Sequence, residues 1–205
     1  MTRPTAAMTA ERLRALYGMP SERAARKEID RFDHHCRAFI AAAPFVVMAT
    51  GDGTTLDVSP KGDAAGFVAV ESDTTLLIPD RPGNNRIDGL LNIVAHPEVA
   101  LLFLIPTVDE TLRVNGRAEI LEDPEICARF AIRGRAPRTV TRITARQIFS
   151  HCGKAPLRAG LWRPETWPGT RPVGTLWEII ADHAAVDVAD KSQADVDRVY
   201  RDTLY

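Results

Sequence analysis

The stretch Thr111-Leu112-Arg113-Val114-Asn115-Gly116-Arg117-Ala118-Glu119-Ile120 alternates without a slip. Leu112, Val114, Gly116, Ala118 and Ile120 fall on one side, and Thr111, Arg113, Asn115, Arg117 and Glu119 on the other. Side chains of a strand point to opposite faces with a period of two, so the pattern predicts one face on a core and one in water. Such one-sided strands belong to antiparallel sheets. Thr139 to Phe149 alternates again downstream. Upstream, Val99 to Ile105 is apolar throughout, which predicts a strand buried on both faces. Phe45 to Ala49 and Thr54 to Val58 flank the turn residues Gly51-Asp52-Gly53. Phe67 to Val70 and Thr74 to Ile78 flank Glu71-Ser72-Asp73 in the same way. Six or seven strands on short connections predict a mainly β fold, an antiparallel sheet closed into a small barrel with flanking helices.

The helices sit mostly outside that block. Thr9 can cap a short helix ended by Gly18. Ser21 can cap a second one running to about Ala43, where Ala25, Ile29, Phe32, Cys36, Phe39, Ile40 and Ala43 form one apolar stripe and Pro44 stops it. A helix over Asn84 to Ala95 interrupts the strands, and Asp123-Pro124-Glu125 starts another that reaches about Arg133. Residues 160–174 read as loop, and Leu176 to His183 and Ala194 to Leu204 as helices. The chain thus divides into a helical extension (1–43), a barrel (44–150) and a loop with helices packed on it (151–205).

Composition narrows the function. The chain has 205 residues, 26 Lys plus Arg against 27 Asp plus Glu, and a net charge of −1. With 45% hydrophobic and 26% charged residues it reads as an ordinary globular protein, not a disordered tail or a polybasic nucleic-acid binder. The longest apolar stretch, Ala38 to Ala49, is broken by Pro44 and falls short of the roughly 20 residues of a spanning helix. Met1 to Ala10 does not read as a signal peptide. Cys36, Cys127 and Cys152 are odd in number and form no CxxC pair, which predicts neither a disulfide framework nor structural zinc. No nucleic-acid or membrane partner is expected, and a cytoplasmic, reducing compartment is.

Three segments carry possible chemistry. Ile78-Pro79-Asp80-Arg81-Pro82-Gly83-Asn84-Asn85-Arg86 joins a strand to a helix and gathers two cations, two amides and a permissive glycine. It reads either as an anion site at a helix N-terminus or as a capped turn with solvated arginines. Ser59-Pro60-Lys61-Gly62-Asp63 follows a strand end and offers a hydroxyl and a cation, with Lys61 either a second phosphate ligand or a surface lysine. In Ser150-His151-Cys152-Gly153-Lys154, neighbours on a strand face opposite ways, so His151 does not serve Cys152 as a base. A metal site built from His34, His35, Cys36, His151 and Cys152 is not expected. Arg129, Arg133, Arg135, Arg138, Arg142 and Arg146 read as a solvated or partner-facing basic cluster, since stacking aromatics are few.

Taken in order, these motifs resemble a known family. The strand into Val58-Ser59-Pro60-Lys61-Gly62, the hairpin ending Leu76-Leu77-Ile78-Pro79-Asp80, the loop Gly83-Asn84-Asn85-Arg86, His96-Pro97 before Val99 to Phe103, and Leu112 to Ala118 resemble the pyridoxamine 5′-phosphate oxidase superfamily. The stretch 59–120, together with His151 to Trp162 and Asp202-Thr203-Leu204-Tyr205, is similar to its bacterial branch of pyridoxamine 5′-phosphate oxidase-related FMN-binding proteins. The resemblance implies a split β-barrel and a homodimer with FMN at its interface. It implies that Val58, Ser59 and Lys61 lie along the flavin, with Pro79 and Asp80 beside the ring and ribityl chain. Asn84, Asn85 and Arg86 would hold the phosphate with Arg81 nearby, and Thr111 would contact the flavin. Lys154, Arg158 and Trp162 would come from the partner subunit. It implies no particular catalytic side chain, and a small-molecule substrate or electron donor.

The chain also departs from the family pattern. True pyridoxamine 5′-phosphate oxidases end in a basic, tryptophan-containing segment, whereas this chain closes with the helix-like Asp195 to Tyr205. The leading expectation is therefore an FMN-dependent oxidoreductase of unknown substrate. The alternatives are a non-catalytic carrier of flavin, haem or deazaflavin, and a genuine pyridoxamine 5′-phosphate oxidase.

Overall fold

A computed structural model describes residues 7–185 and 192–205. Residues 1–6, and with them most of the stretch read for a leader, lie outside the described residues.

Seven strands form one antiparallel sheet: β1 (Phe45–Gly51), β2 (Leu56–Gly62), β3 (Ala69–Val70), β4 (Thr75–Pro79), β5 (Glu98–Leu104), β6 (Thr111–Leu121) and β7 (Val140–His151). Their order is β2-β1-β5-β6-β7-β4-β3. The alternation of β6 is realised: Leu112, Val114 and Ala118 are buried while Arg117 and Glu119 are exposed. One continuous core runs through Val46, Met48, Leu76, Ile78, Leu101, Phe103, Val114, Ile143 and Ile148. The sheet curls enough for β2, at one edge, to meet the chain just after β4, next to the other edge. Lys61 of β2 pairs with Asp80 at 3.1 Å, and Asp63 with Arg81 at 2.6 Å. This is the mainly β barrel that the strand count predicts, in the split form that the family resemblance implies.

Eight helices stand around the sheet among the described residues. They are α1 (Ala10–Tyr17), α2 (Glu22–Arg26), α3 (His34–Ala42), α4 (Asp88–Ala95), α5 (Pro124–Ala128), α6 (Lys154–Ala159), α7 (Leu176–Ala184) and α8 (Gln193–Asp202). None is long and apolar enough to cross a membrane.

Five local expectations need correction. The single helix from Ser21 to Ala43 is two helices, because the chain between them pairs with the sheet: Ile29 bridges Ile148. Asp33 then restarts the helix by accepting the Cys36 N–H at 2.8 Å. Periodicity alone misses such a break, since Ile29 and Phe32 are needed by the core either way. The helix expected from Asn84 starts only at Asp88, and the one expected to reach Arg133 stops at Ala128. Phe67 and Val68 are buried but lie outside β3, which keeps only two residues. Strand β5 is buried on one face only: Val99, Leu101 and Phe103 are inside, while Ala100, Leu102 and Leu104 are half-buried.

The β6–β7 pairing slips at Asn115/Gly116, leaving Arg146 unpaired between Ala145 and Gln147. Gly116 sits at this slip because a Cβ there would lie 2.2 Å from the Thr144 carbonyl oxygen. Gly116→Ala is therefore expected to lower stability by about 1–3 kcal/mol, as overpacked sites do. Urea denaturation measures this, and an unchanged midpoint would show that the ladder relaxes freely.

Candidate functional site

Strand β2 places Asp57, Ser59 and Lys61 on one face, half-buried, and Leu56, Val58 and Pro60 on the other, exposed. Pro60 lacks an N–H and fits because β2 is an edge strand, pairing only with β1. The N-terminus of α4 packs against this strand. A Cβ on Gly89 would lie 3.2 Å from Asp57 Oδ2 and 3.5 Å from Thr50 Oγ1. Glycine thus allows helix and strand to approach closely. Ser59 Oγ donates to Asp57 Oδ2 at 2.7 Å, and Asn92 of α4 donates to Thr50 Oγ1 at 3.2 Å.

The loop from β4 to α4 is irregular. Asn85 and Ile87 both adopt positive φ, at 60° and 52°. For Ile87, a β-branched residue, that conformation is strained, and strain of this kind gathers at ligand-binding sites. Asn84 Oδ1 accepts the Arg86 N–H at 3.1 Å, and the Arg86 guanidinium reaches Asp88 at 2.8 Å. The Arg86 side chain is 74% exposed. An ion pair so open to water is weak, so an incoming anion can displace Asp88.

Arg81 behaves differently from Arg86. Its side chain is 17% exposed, its Nε donates to Asp63 and its Nη1 to the Phe130 carbonyl at 2.8 Å. Asp63 is 2% exposed and also accepts from the Ala64 N–H and from the Tyr205 hydroxyl, each at 2.7 Å. Burial opposes ionisation of Asp63, but the Tyr205 hydroxyl, the Ala64 N–H and Arg81 together outweigh it and hold its carboxyl below the ordinary value. Sequence reading did not find Asp63 or Asp57 as site-forming groups. Tyr205 carried only the family likeness of its last four residues.

The remaining expected residues lie elsewhere. The register runs Lys61–Val46–Phe103–Leu112 across β2, β1, β5 and β6. Thr111, beside Leu112, is therefore three strands from Lys61, about 14 Å along the sheet. It is buried and lies opposite His151. Trp162 Nε1 donates to the Val108 carbonyl at 2.9 Å in the same corner, and Lys154 and Arg158 are exposed on α6. The predicted residues thus fall into two groups: 58–61 with 79–86, and Thr111 with Lys154, Arg158 and Trp162.

His151 ends β7 and Cys152 lies beyond it, exposed. The His151 Nε2 is buried without a hydrogen-bond partner, and burial, then Arg113 and Lys27, push its imidazole below its ordinary pKa. Among the described residues no group of three or more His, Cys, Asp or Glu could hold a metal ion. Four arginines of the cluster have partners within the chain: Arg129 with Glu71, Arg142 with Glu119, Arg146 with Glu98, and Arg135 with the Tyr205 main-chain oxygen.

The sequence profile of the pyridoxamine 5′-phosphate oxidase family matches residues 32–152, more than half of the 205. The chain belongs to the pyridoxamine 5′-phosphate oxidase family. The matched span runs from Phe32 through the whole sheet to Cys152, and so includes both walls of the site. No curated protein matches the chain. Among solved structures, HupZ of Group A Streptococcus is similar at 22% identity and a TM-score of 0.47, over 58% of this chain and 93% of that one. The General Stress Protein 26 of Bacillus anthracis is similar at 17% identity and a TM-score of 0.43, over 55% and 88%. An FMN-binding protein of Syntrophomonas wolfei is similar at 13% identity and a TM-score of 0.44, over 57% and 83%.

The Asp63 network gives this family member a specific acid response. A carboxyl held below its ordinary value of 3.8 stabilises the fold at neutral pH, and that stability is lost as pH falls through the lowered value. Asp63→Asn should be less stable than wild type at pH 7, with the gap narrowing below about pH 4. Denaturation midpoints measured against pH check this, and a gap that stays constant with pH would mean that the carboxylate charge plays no part.

Proposed function

We propose that the chain is an FMN-dependent oxidoreductase acting on a small molecule. The observation that carries the reading is that β2 meets both ends of the strained 84–87 loop: Lys61 pairs with Asp80 before it, and Asp57 and Ser59 lie against Gly89 of α4 after it. The donor set suits a flavin mononucleotide: an exposed guanidinium and two amides for a phosphate dianion, and a half-buried ammonium and a strand edge for a polar ring. Arg86, Asn84 and Asn85 would hold the phosphate through charge-assisted hydrogen bonds. Lys61, Ser59 and the main chain at Val58 would face the ring, with Pro79 and Asp80 alongside. FMN supplies the two-electron chemistry when bound. The protein's part is to bind, orient and shield, so no side chain is assigned as nucleophile or base.

A second copy of the chain completes this reading. Thr111 lies three strands from Lys61, and Lys154, Arg158 and Trp162 follow the strand end that faces Thr111, so these four would serve a partner's flavin. Leu56 and Val58 on β2 and Ile87, Leu91 and Val94 on or beside α4 are large apolar side chains left exposed next to the site. That patch favours a homodimer that covers it.

The purified protein is expected to be yellow, to release FMN on denaturation, and to have its flavin reduced by a nicotinamide donor in an anaerobic spectral titration. Colourless protein that leaves the fluorescence of added FMN unchanged would overturn the flavin reading. A bound flavin that no donor reduces would leave a carrier, and pyridoxal phosphate formed from pyridoxamine phosphate would identify the oxidase reaction itself. Arg86→Ala should weaken FMN binding by about 1.5–3 kcal/mol, the scale of a hydrogen bond to a charged group. Equal affinity for wild type and variant would remove Arg86 from the site.

A further inference from the structure

The candidate site has two walls, and both are tied to one residue far away in sequence. Lys61 is two residues before Asp63, and Asp80 is one residue before Arg81. Asp63 and Arg81 hold each other, and the Tyr205 hydroxyl closes on Asp63 at 2.7 Å. The Tyr205 ring lies between two guanidinium groups, with Arg81 at 5.8 Å and Arg133 at 5.7 Å from its centroid. Its main-chain oxygen accepts from Arg135 at 2.9 Å. Helix α8 is itself seated by Val196, which is 1% exposed.

We propose that Tyr205 is a positioning residue for the candidate site, clamping Asp63 and through it Arg81 so that the Lys61 wall and the 80–86 loop keep a fixed separation. The physical reason lies in the sheet. No backbone ladder joins β2 to β4 in the strand order, and the direct contacts between their ends are the side-chain pairs Lys61–Asp80 and Asp63–Arg81. Arg81 has one acidic partner and one carbonyl partner. Without the phenol, one oxygen of a buried carboxylate loses a donor, and the Asp63–Arg81 geometry is free to drift. The loop that follows Arg81 then loses its fixed starting point. On this assignment Arg81 acts through Asp63 and Phe130 and does not itself touch the phosphate.

The inference rests on the flavin reading of the same site, and the test separates the two. Tyr205→Phe keeps the ring between the arginines and removes only the hydroxyl, whereas Tyr205→Leu removes both. Each is titrated with FMN by fluorescence quenching at a temperature where far-ultraviolet circular dichroism shows it folded. Tyr205→Phe is expected to raise the FMN Kd at least threefold and to alter the visible circular-dichroism band of the bound flavin, with a larger effect in Tyr205→Leu. Should Tyr205→Leu not fold, Tyr205→Phe decides alone. A lowered melting temperature with unchanged Kd and unchanged flavin band would show a purely structural tyrosine and overturn the proposal. Wild-type protein that binds no FMN would instead overturn the flavin reading.

Discussion

A buried carboxylate needs partners that replace its water, and Asp63 finds its own in two distant parts of the chain and in the residue beside it. It accepts from Arg81 after β4, from Tyr205 after α8 and from the Ala64 main chain. The arrangement follows from the topology. A seven-stranded sheet that curls toward closure brings its edge strand β2 near β4 without a ladder between them. Ion pairs at Asp63–Arg81 and Lys61–Asp80 make the join. Removing one partner of such a pair leaves an uncompensated charge in low dielectric, which costs far more than the pair gains. The seam is therefore specific, and the candidate site lies along it.

The same seam explains why two arginines in one loop differ. Arg81, the first residue past the Asp80 end of the seam, is drawn inward to Asp63. The exposed Arg86 side chain, five residues further on, pairs with Asp88. One is a fixed part of the wall and the other is available to an anion. On either side of Arg86 the backbone takes a left-handed conformation, at Asn85 and Ile87, and the loop reaches α4 without a side-chain cap. Helix α4 then lies close against β2 because Gly89 has no Cβ to strike Asp57.

Much of the sheet was legible from sequence because period two is a local property. The alternation of β6 and β7 places each side chain before any partner strand is known. The phosphate-loop candidates were legible too, since charge, amides and glycine cluster within nine residues. Helix limits were not. The stripe from Ala25 to Ala43 is apolar at helical spacing whether one helix or two carries it, and the deciding contact, Ile29 on Ile148, spans more than a hundred residues. The apolar run of β5 misled for a related reason. Ala100, Leu102 and Leu104 read as core, but the chain leaves that face half-buried.

By itself the sequence determined the antiparallel barrel, the approximate place of its strands and the family of the chain, because those depend on hydrophobic period and on contiguous motifs. Only the tertiary structure decided which of the expected residues meet. It brought Ser59 to the start of α4 and Lys61 to Asp80, set Thr111 three strands away, and turned Arg81 toward Asp63 and Tyr205. Those outcomes depend on strand order and on the closure of the sheet, which bring together residues that no local window contains.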